Sequence, residues 1–176
     1  MFKADLRRFV YHTEEIATLE LGPYKLSATV EADNTAGPPD QEQDGFWPSL
    51  DPNDDGWIGL NPKTRKPYSR STYERRWAEA ERIMDAWKDG DWWWCGVIVE
   101  VFDPRDDDVV LGHAALWGIE CNWPHTGKRG PYDNSYLIEV ANELIDQALA
   151  EAGVNRVVRG VLQARAAHQE PEEAQP

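Results

Sequence analysis

The chain has 176 residues, 41% of them apolar, and a formal net charge of −14 from 32 Asp and Glu against 18 Lys and Arg. Such a balance repels nucleic acid and anionic lipid headgroups and favours basic partners. No apolar run approaches the ~20 residues that cross a bilayer as a helix, and Met1-Phe2-Lys3-Ala4-Asp5 lacks the apolar stretch of a secretory signal, so a cytoplasmic location is expected.

The length suits one domain with a radius of gyration of about 16 Å, large enough for a core without covalent staples. Two cysteines, Cys95 and Cys121, make no disulfide framework. Nine tryptophans supply an unusual amount of large aromatic surface for cores or interfaces. The expected organisation is one α+β domain over 1–168 followed by a flexible acidic tail over 169–176. Within it, an antiparallel sheet packs against two or three helices and carries a long acidic, Pro/Gly-rich loop.

Residues 6–12 and 15–21, rich in Leu, Val, Phe and Tyr, are candidate first strands, and Gly22-Pro23 marks a turn. In residues 24–32, Tyr24, Leu26, Ala28 and Val30 alternate with polar neighbours, the pattern of a half-buried strand. From 33 to 69 the periodicity vanishes. Pro38, Pro39, Pro48, Pro52, Pro62 and Pro67 forbid regular ladders, while Phe46, Trp47, Leu50, Trp57 and Ile58 would pin this loop to the domain. Ser71-Thr72-Tyr73-Glu74 reads as a capping box. It opens a helix over 71–89 whose Tyr73, Trp77, Ala80, Met84 and Trp87 share one face and are expected to be buried.

The strongest strand signals run from Trp92 to Phe102 and from Val109 to Ile119, joined by a polar turn over 103–108. Pairing Phe102 with Val109 places Cys95, Val97, Val99, Val101, Val110, Ala114 and Leu116 on one face. The other face then carries Trp92, Trp94, Ile98, His113 and Trp117, so the three tryptophans are expected to lie together. Residues 134–152 form a second helix with Leu137, Val140, Ala141, Leu144, Ile145 and Ala148 on its buried stripe and Gly153 just past its end. Residues 154–167 suit either a helix or a strand.

Asp51-Pro52-Asn53-Asp54-Asp55-Gly56-Trp57-Ile58 matches the opening of a calcium-binding EF-hand loop. Its twelfth position is Pro62, where a bidentate Glu is needed, so an Asx-rich turn without bound calcium is expected. Cys121 and His125 fall short of a zinc set, and a nucleophilic thiol needs a nearby base and a positive setting. GxSxG, HExxH, GxGxxG and phosphate-loop patterns are absent. No catalytic residue, metal or cofactor is expected, and the chain reads as a binding protein rather than an enzyme.

Charge is segregated along the chain. No Lys or Arg falls between Lys25 and Lys63, a span that holds Glu31, Asp33, Asp40, Glu42, Asp44, Asp51, Asp54 and Asp55. The turn with Asp103, Asp106, Asp107 and Asp108 adds a second acidic block, while basic residues collect in 63–76, at Lys128-Arg129 and in 156–165. Such blocks often form interaction surfaces.

Several stretches together resemble a family of small acidic accessory proteins from phages, prophages and plasmids. They are Glu31-Ala32-Asp33-Asn34-Thr35-Ala36-Gly37-Pro38, Trp94-Cys95-Gly96-Val97-Ile98-Val99-Glu100-Val101, Leu116-Trp117-Gly118-Ile119-Glu120, and Asp133-Asn134-Ser135-Tyr136-Leu137 running into Glu139-Val140-Ala141-Asn142-Glu143-Leu144. The resemblance covers roughly residues 24–150. It implies a mobile-element origin and a place in the cytoplasm of the host cell, and it carries over no catalytic residue. By analogy it points to an anti-CRISPR or anti-restriction protein that blocks a host defence nuclease complex.

On this reading Asp40, Glu42, Asp44, Asp51, Asp54, Asp55, Asp103, Asp106, Asp107 and Asp108 imitate nucleic acid on a basic groove, with Trp47 and Trp57 as anchors. The partner is a host defence protein or nucleoprotein complex, with neither direct nucleic-acid binding nor membrane association. Two alternatives stand beside it: an interaction module that uses a tryptophan face for another protein or a homodimer, and a small enzyme or calcium-dependent module.

Overall fold

The computed structural model describes residues 1–3, 9, 12–39, 53, 57, 59–61, 63–124, 134–154 and 160. In chain order the elements are β1 (Thr13–Leu21), β2 (Tyr24–Ala32), α1 (Arg70–Lys88), β3 (Trp93–Asp103), β4 (Asp106–Cys121) and α2 (Ser135–Glu151). The strands form one antiparallel sheet in the order β1-β2-β3-β4. This agrees with the expected α+β class. No helix among the described residues is long and apolar enough to cross a membrane.

The alternation read in 24–32 sets the buried side of the sheet. Leu26, Ala28 and Val30 on β2 and Cys95, Val97, Val99 and Val101 on β3 are fully buried. Helix α2 covers them with Leu137, Ala141, Leu144, Ile145, Ala148 and Leu149. At its end, Gly153 adopts φ +75° and the Val154 N–H reaches the Leu149 carbonyl at 2.9 Å, a left-handed stop that Gly tolerates. The helix presses closely on β4. A Cβ on Gly112 would stand 2.8 Å from the Ala148 carbonyl oxygen, so only glycine fits there.

Two asparagines tie the start of the chain to this core by pairing with it as a peptide group would. The Phe9 N–H donates to Asn122 Oδ1 at 3.0 Å, and Asn122 Nδ2 donates to the Phe9 carbonyl at 2.7 Å. Asn142 likewise accepts from the Phe2 N–H at 2.7 Å and donates to its carbonyl at 3.4 Å. The Phe2 and Phe9 rings are buried in the main core. Asn122 is fully buried, and its main-chain N–H and side chain are further bonded to Asn134 at the entrance of α2.

Helix α1 belongs to a second, smaller cluster. Trp92 is fully buried against Ile83 and Met84, and its indole N–H donates to the Ile83 carbonyl at 2.9 Å. Trp94 and Trp123 meet it edge-on, with centroids at 5.3 and 4.8 Å. The expected cap is corrected. Ser69 is the N-cap, accepting from the Thr72 N–H, and Glu74 pairs with Arg70 at 2.8 Å instead of reaching back to Ser71. Met84 is buried as expected, whereas Tyr73, Trp77 and Trp87 are half-buried.

The β3–β4 hairpin is also corrected. Asp103 pairs with Asp106, leaving a two-residue turn at Pro104-Arg105, and Phe102 pairs with Val110 rather than Val109. Irregularities on either side of Phe102 and between Cys95 and Val97 shift the register three times. A shift of one residue moves a side chain to the other face. Val110 therefore leaves the valine side, and both Val110 and Leu116 are exposed. The three tryptophans are also separated in role. Trp92 is buried under α1, while Trp117 lies across Gly96 with 46% of its surface exposed. Most of 6–12, 40–58 and 155–176 lies outside the described residues, as do the expectations placed there.

Candidate functional site

The side of the sheet opposite α2 carries the most organised surface chemistry. Paired residues of neighbouring strands share a face, so the register gives its layout directly. Rows run from β1 to β4. The first holds Thr13, Glu31 and Gly96, with Trp117 laid over the glycine; the second holds Glu15, Thr29, Ile98 and Ala115. The third holds Thr18, Ser27, Glu100 and His113. One step further, Glu20 and Lys25 continue to Phe102 and Val110.

The face is divided. Carboxylates of Glu15, Glu20 and Glu31 stand exposed on β1 and β2, while Ile98, Phe102, Ala115, Val110 and Trp117 make the β3 and β4 half apolar. Glu100 and His113 are the polar side chains set within that half. Ser27 Oγ donates to Glu15 Oε2 at 2.9 Å, which fixes that carboxylate on the surface. Among the described residues the face carries one lysine, Lys25, which lies 5.7 Å from the Phe102 ring centroid and pairs with Asp107 at 3.6 Å. The acidic turn and the acidic half of the sheet therefore meet at Lys25.

The acidic turn is not uniform. Arg105 holds Asp103 through its guanidinium at 2.9 and 3.0 Å and through its main-chain N–H at 2.9 Å. These bonds to the ionised form keep the Asp103 carboxyl low, at about 2. That charge is spent inside the turn. Asp106, Asp107 and Asp108 are exposed, although Asp106 also accepts from the Asp108 N–H at 3.1 Å. Asp33 is similarly occupied, accepting from Thr35 Oγ1 at 2.7 Å, and this bond lowers its pKa.

Asp40, Glu42, Asp44, Asp51, Asp54, Asp55 and Trp47 lie outside the described residues. Trp57 is half-buried, with its ring folded over Gly59. Glu15, Glu20 and Glu100 were missed as site residues in the sequence: strict alternation puts Glu15 and Glu20 on opposite faces, only the irregularity between Glu15 and Ala17 brings them to one side, and Glu100 lies on a largely apolar face of its strand. What sequence reading lacked was the strand order that sets those faces side by side.

Neither cysteine lies at the surface. Cys95 and Cys121 are free and fully buried on adjacent strands. Contact with the Cys121 thiol, followed by burial, pushes the Cys95 thiol far above its ordinary range, so the thiolate does not form near neutral pH. Burial and the charge of Glu120 do the same to the Tyr136 hydroxyl, which donates to Glu120 Oε2 at 3.4 Å. His125, the suggested companion of Cys121, lies outside the described residues. Among the described residues no three His, Cys, Asp or Glu side chains converge on a metal position. Two clefts lie along α1, about 330 Å³ beside Tyr73, Glu74 and Trp77 and about 490 Å³ beside Arg75, Ala78, Glu79 and Arg82. No protein-family model, curated protein or solved structure matches the chain.

Proposed function

We propose that this protein works by binding a basic macromolecular surface, with the open sheet face and the Asp106–Asp108 turn as its docking side. We further propose that the surface is the nucleic-acid-binding groove of a host defence nuclease complex, of the CRISPR or restriction type. Bound there, the protein keeps target DNA out. The observation that carries this reading is the row pattern of the open face: Glu15, Glu20, Glu31 and Glu100 against one lysine that is already paired.

Magnitudes favour a mixed mode of binding over a literal copy of DNA. Glu15 and Glu20 are roughly 15 Å apart along β1, from the rise per strand residue. Duplex DNA presents about nine phosphates over that length, at one per ~1.7 Å of axis. The face offers far fewer charges but adds an apolar half. Carboxylates therefore speed and orient the encounter, and the aromatic side supplies desolvated contact.

The test uses purified CRISPR effector complexes and restriction nucleases with labelled target DNA. The protein should block DNA binding by at least one of them, and the block should weaken as salt rises. A complex that holds DNA and this protein together would rule out occlusion.

A further inference from the structure

Apart from Met1, every exposed large apolar side chain among the described residues belongs to β4: Val109, Val110, Leu111, Leu116 and Trp117. This strand is at the end of the sheet, with β3 as its only strand neighbour among the described residues. Among the described residues its outward main chain is in use at one point, where the His113 N–H donates to Glu151 Oε2 at 2.9 Å. Because that N–H points away from β3, His113 and Glu100 form a pair without ladder hydrogen bonds. The next such pair is Ala115 with Ile98, so the N–H and C=O of Ala115 also face the free edge. An exposed apolar edge with outward donors and acceptors is a template for one more strand.

Charge decides what that strand is. Asp106, Asp107 and Asp108 are exposed at the start of β4. The net charge of −14 sets two copies of the chain against each other. We infer that the free edge of β4 docks an extended segment of a partner protein in which Lys or Arg alternates with apolar residues. The segment adds beside Ala115, with its apolar side chains on the Trp117 side of the sheet, since Leu116 faces the other way beside Val97, and its basic ones toward Asp106–Asp108. This rests on the proposed function only for the sign of the partner's charge.

The probe is a fluorescent peptide of about ten residues, alternating Val with Lys or Arg, compared with a version carrying Glu at every basic position. Anisotropy should show binding of the basic peptide alone. Ala115→Pro removes an edge-facing N–H and spares the ladder to β3, so it should weaken binding about tenfold or more. The same loss should follow, with the unaltered protein, when alternate peptide nitrogens are methylated to remove their donors. Equal binding of the methylated peptide, or of the Glu peptide, overturns the inference. So does a wild-type dimer in sedimentation that Ala115→Pro converts to monomer, since the occupant is then a second copy. DNA exclusion by the nuclease assay is read separately, so failure of the peptide leaves the proposed function to its own test.

Discussion

The indole ring of Trp117 fills the space where a Cβ on Gly96 would stand, with its Cε3 atom 2.5 Å from that position. The relationship depends on the register irregularity between Cys95 and Val97, and on Gly118, whose φ of +77° turns the strand just after the tryptophan. A glycine in a central strand costs stability. Here it lets a large ring lie flat on the open face.

Gly96→Ala should therefore dislodge Trp117 and leave the sheet intact. The ring is 46% exposed and free to swing outward, so the stability loss should be about 1 kcal/mol, at the low end for overpacking. Tryptophan fluorescence should shift to the red. An unchanged emission maximum would show that the ring does not rest on Gly96.

Gly112→Ala should behave differently, because what it meets is main chain. Ala148 and Ala152 of the α2 end cannot rotate away. The substitution should separate α2 from β4 and cost about 2–3 kcal/mol, measurable by urea denaturation. Matching losses for Gly96→Ala and Gly112→Ala would contradict the distinction between a yielding side chain and a rigid backbone.

Asn122→Leu should be among the most damaging single changes. It removes the bonds that Asn122 makes to the Phe9 N–H and carbonyl in the core and takes a partner from Asn134. Each unpaired buried group costs about 1–3 kcal/mol. It also places a bulky side chain at φ +59°, a conformation that Asn tolerates better. Asn122→Asp keeps the acceptor and loses the donor, so chemical denaturation should place it between wild type and Asn122→Leu.

The framework was legible where one signal settles a side chain's place. Alternation in 24–32 gave the buried face of β2, and the 3.6-residue stripe with Gly153 gave α2 and its stop. The β3–β4 register was not legible, because Val109, Val110 and Leu111 are equally apolar and only the two-residue turn at Pro104-Arg105 selects among them. Leu116 keeps the face expected for it, opposite Val97, yet it is exposed. The site was legible as composition but not as geometry. Glu15, Glu31 and Glu100 stand on three different strands, and no local pattern states that β1 and β3 both flank β2.

The bond from Arg105 to Asp103 predicts a pH signature. The folded-state pKa of Asp103, about 2, lies below its ordinary value of 3.8. Its stabilising contribution is therefore present above the ordinary value and is lost as pH falls through 2. Carboxyl NMR titration should find this midpoint, and Arg105→Gln should raise it toward the ordinary range. An Asp103 that titrates near 4 in the wild-type protein would remove the reason for leaving it out of the docking charge.

The proposed function predicts that the position of charge matters more than its total. Glu15→Lys, Glu20→Lys and Glu31→Lys together reverse the acidic half of the open face, where all three side chains are exposed. Exposed charge pairs contribute modestly one by one, but reversal replaces attraction with repulsion. The triple variant should bind its basic partner about 30- to 1,000-fold more weakly, mostly through slower association. The control reverses Glu139 and Glu143, exposed on α2 across the sheet. Those changes also make the protein less acidic, yet they leave the docking side untouched and should change affinity less than about threefold, as long-range screened charges do. Reversal of Asp106, Asp107 and Asp108 should fall between the two, since Asp107 is already paired with Lys25. Each variant is measured at low and physiological salt in the DNA-exclusion assay, after thermal unfolding confirms a native fold. If the α2 control weakens exclusion as much as the sheet-face triple, net charge alone drives the interaction and the open face is not the docking side.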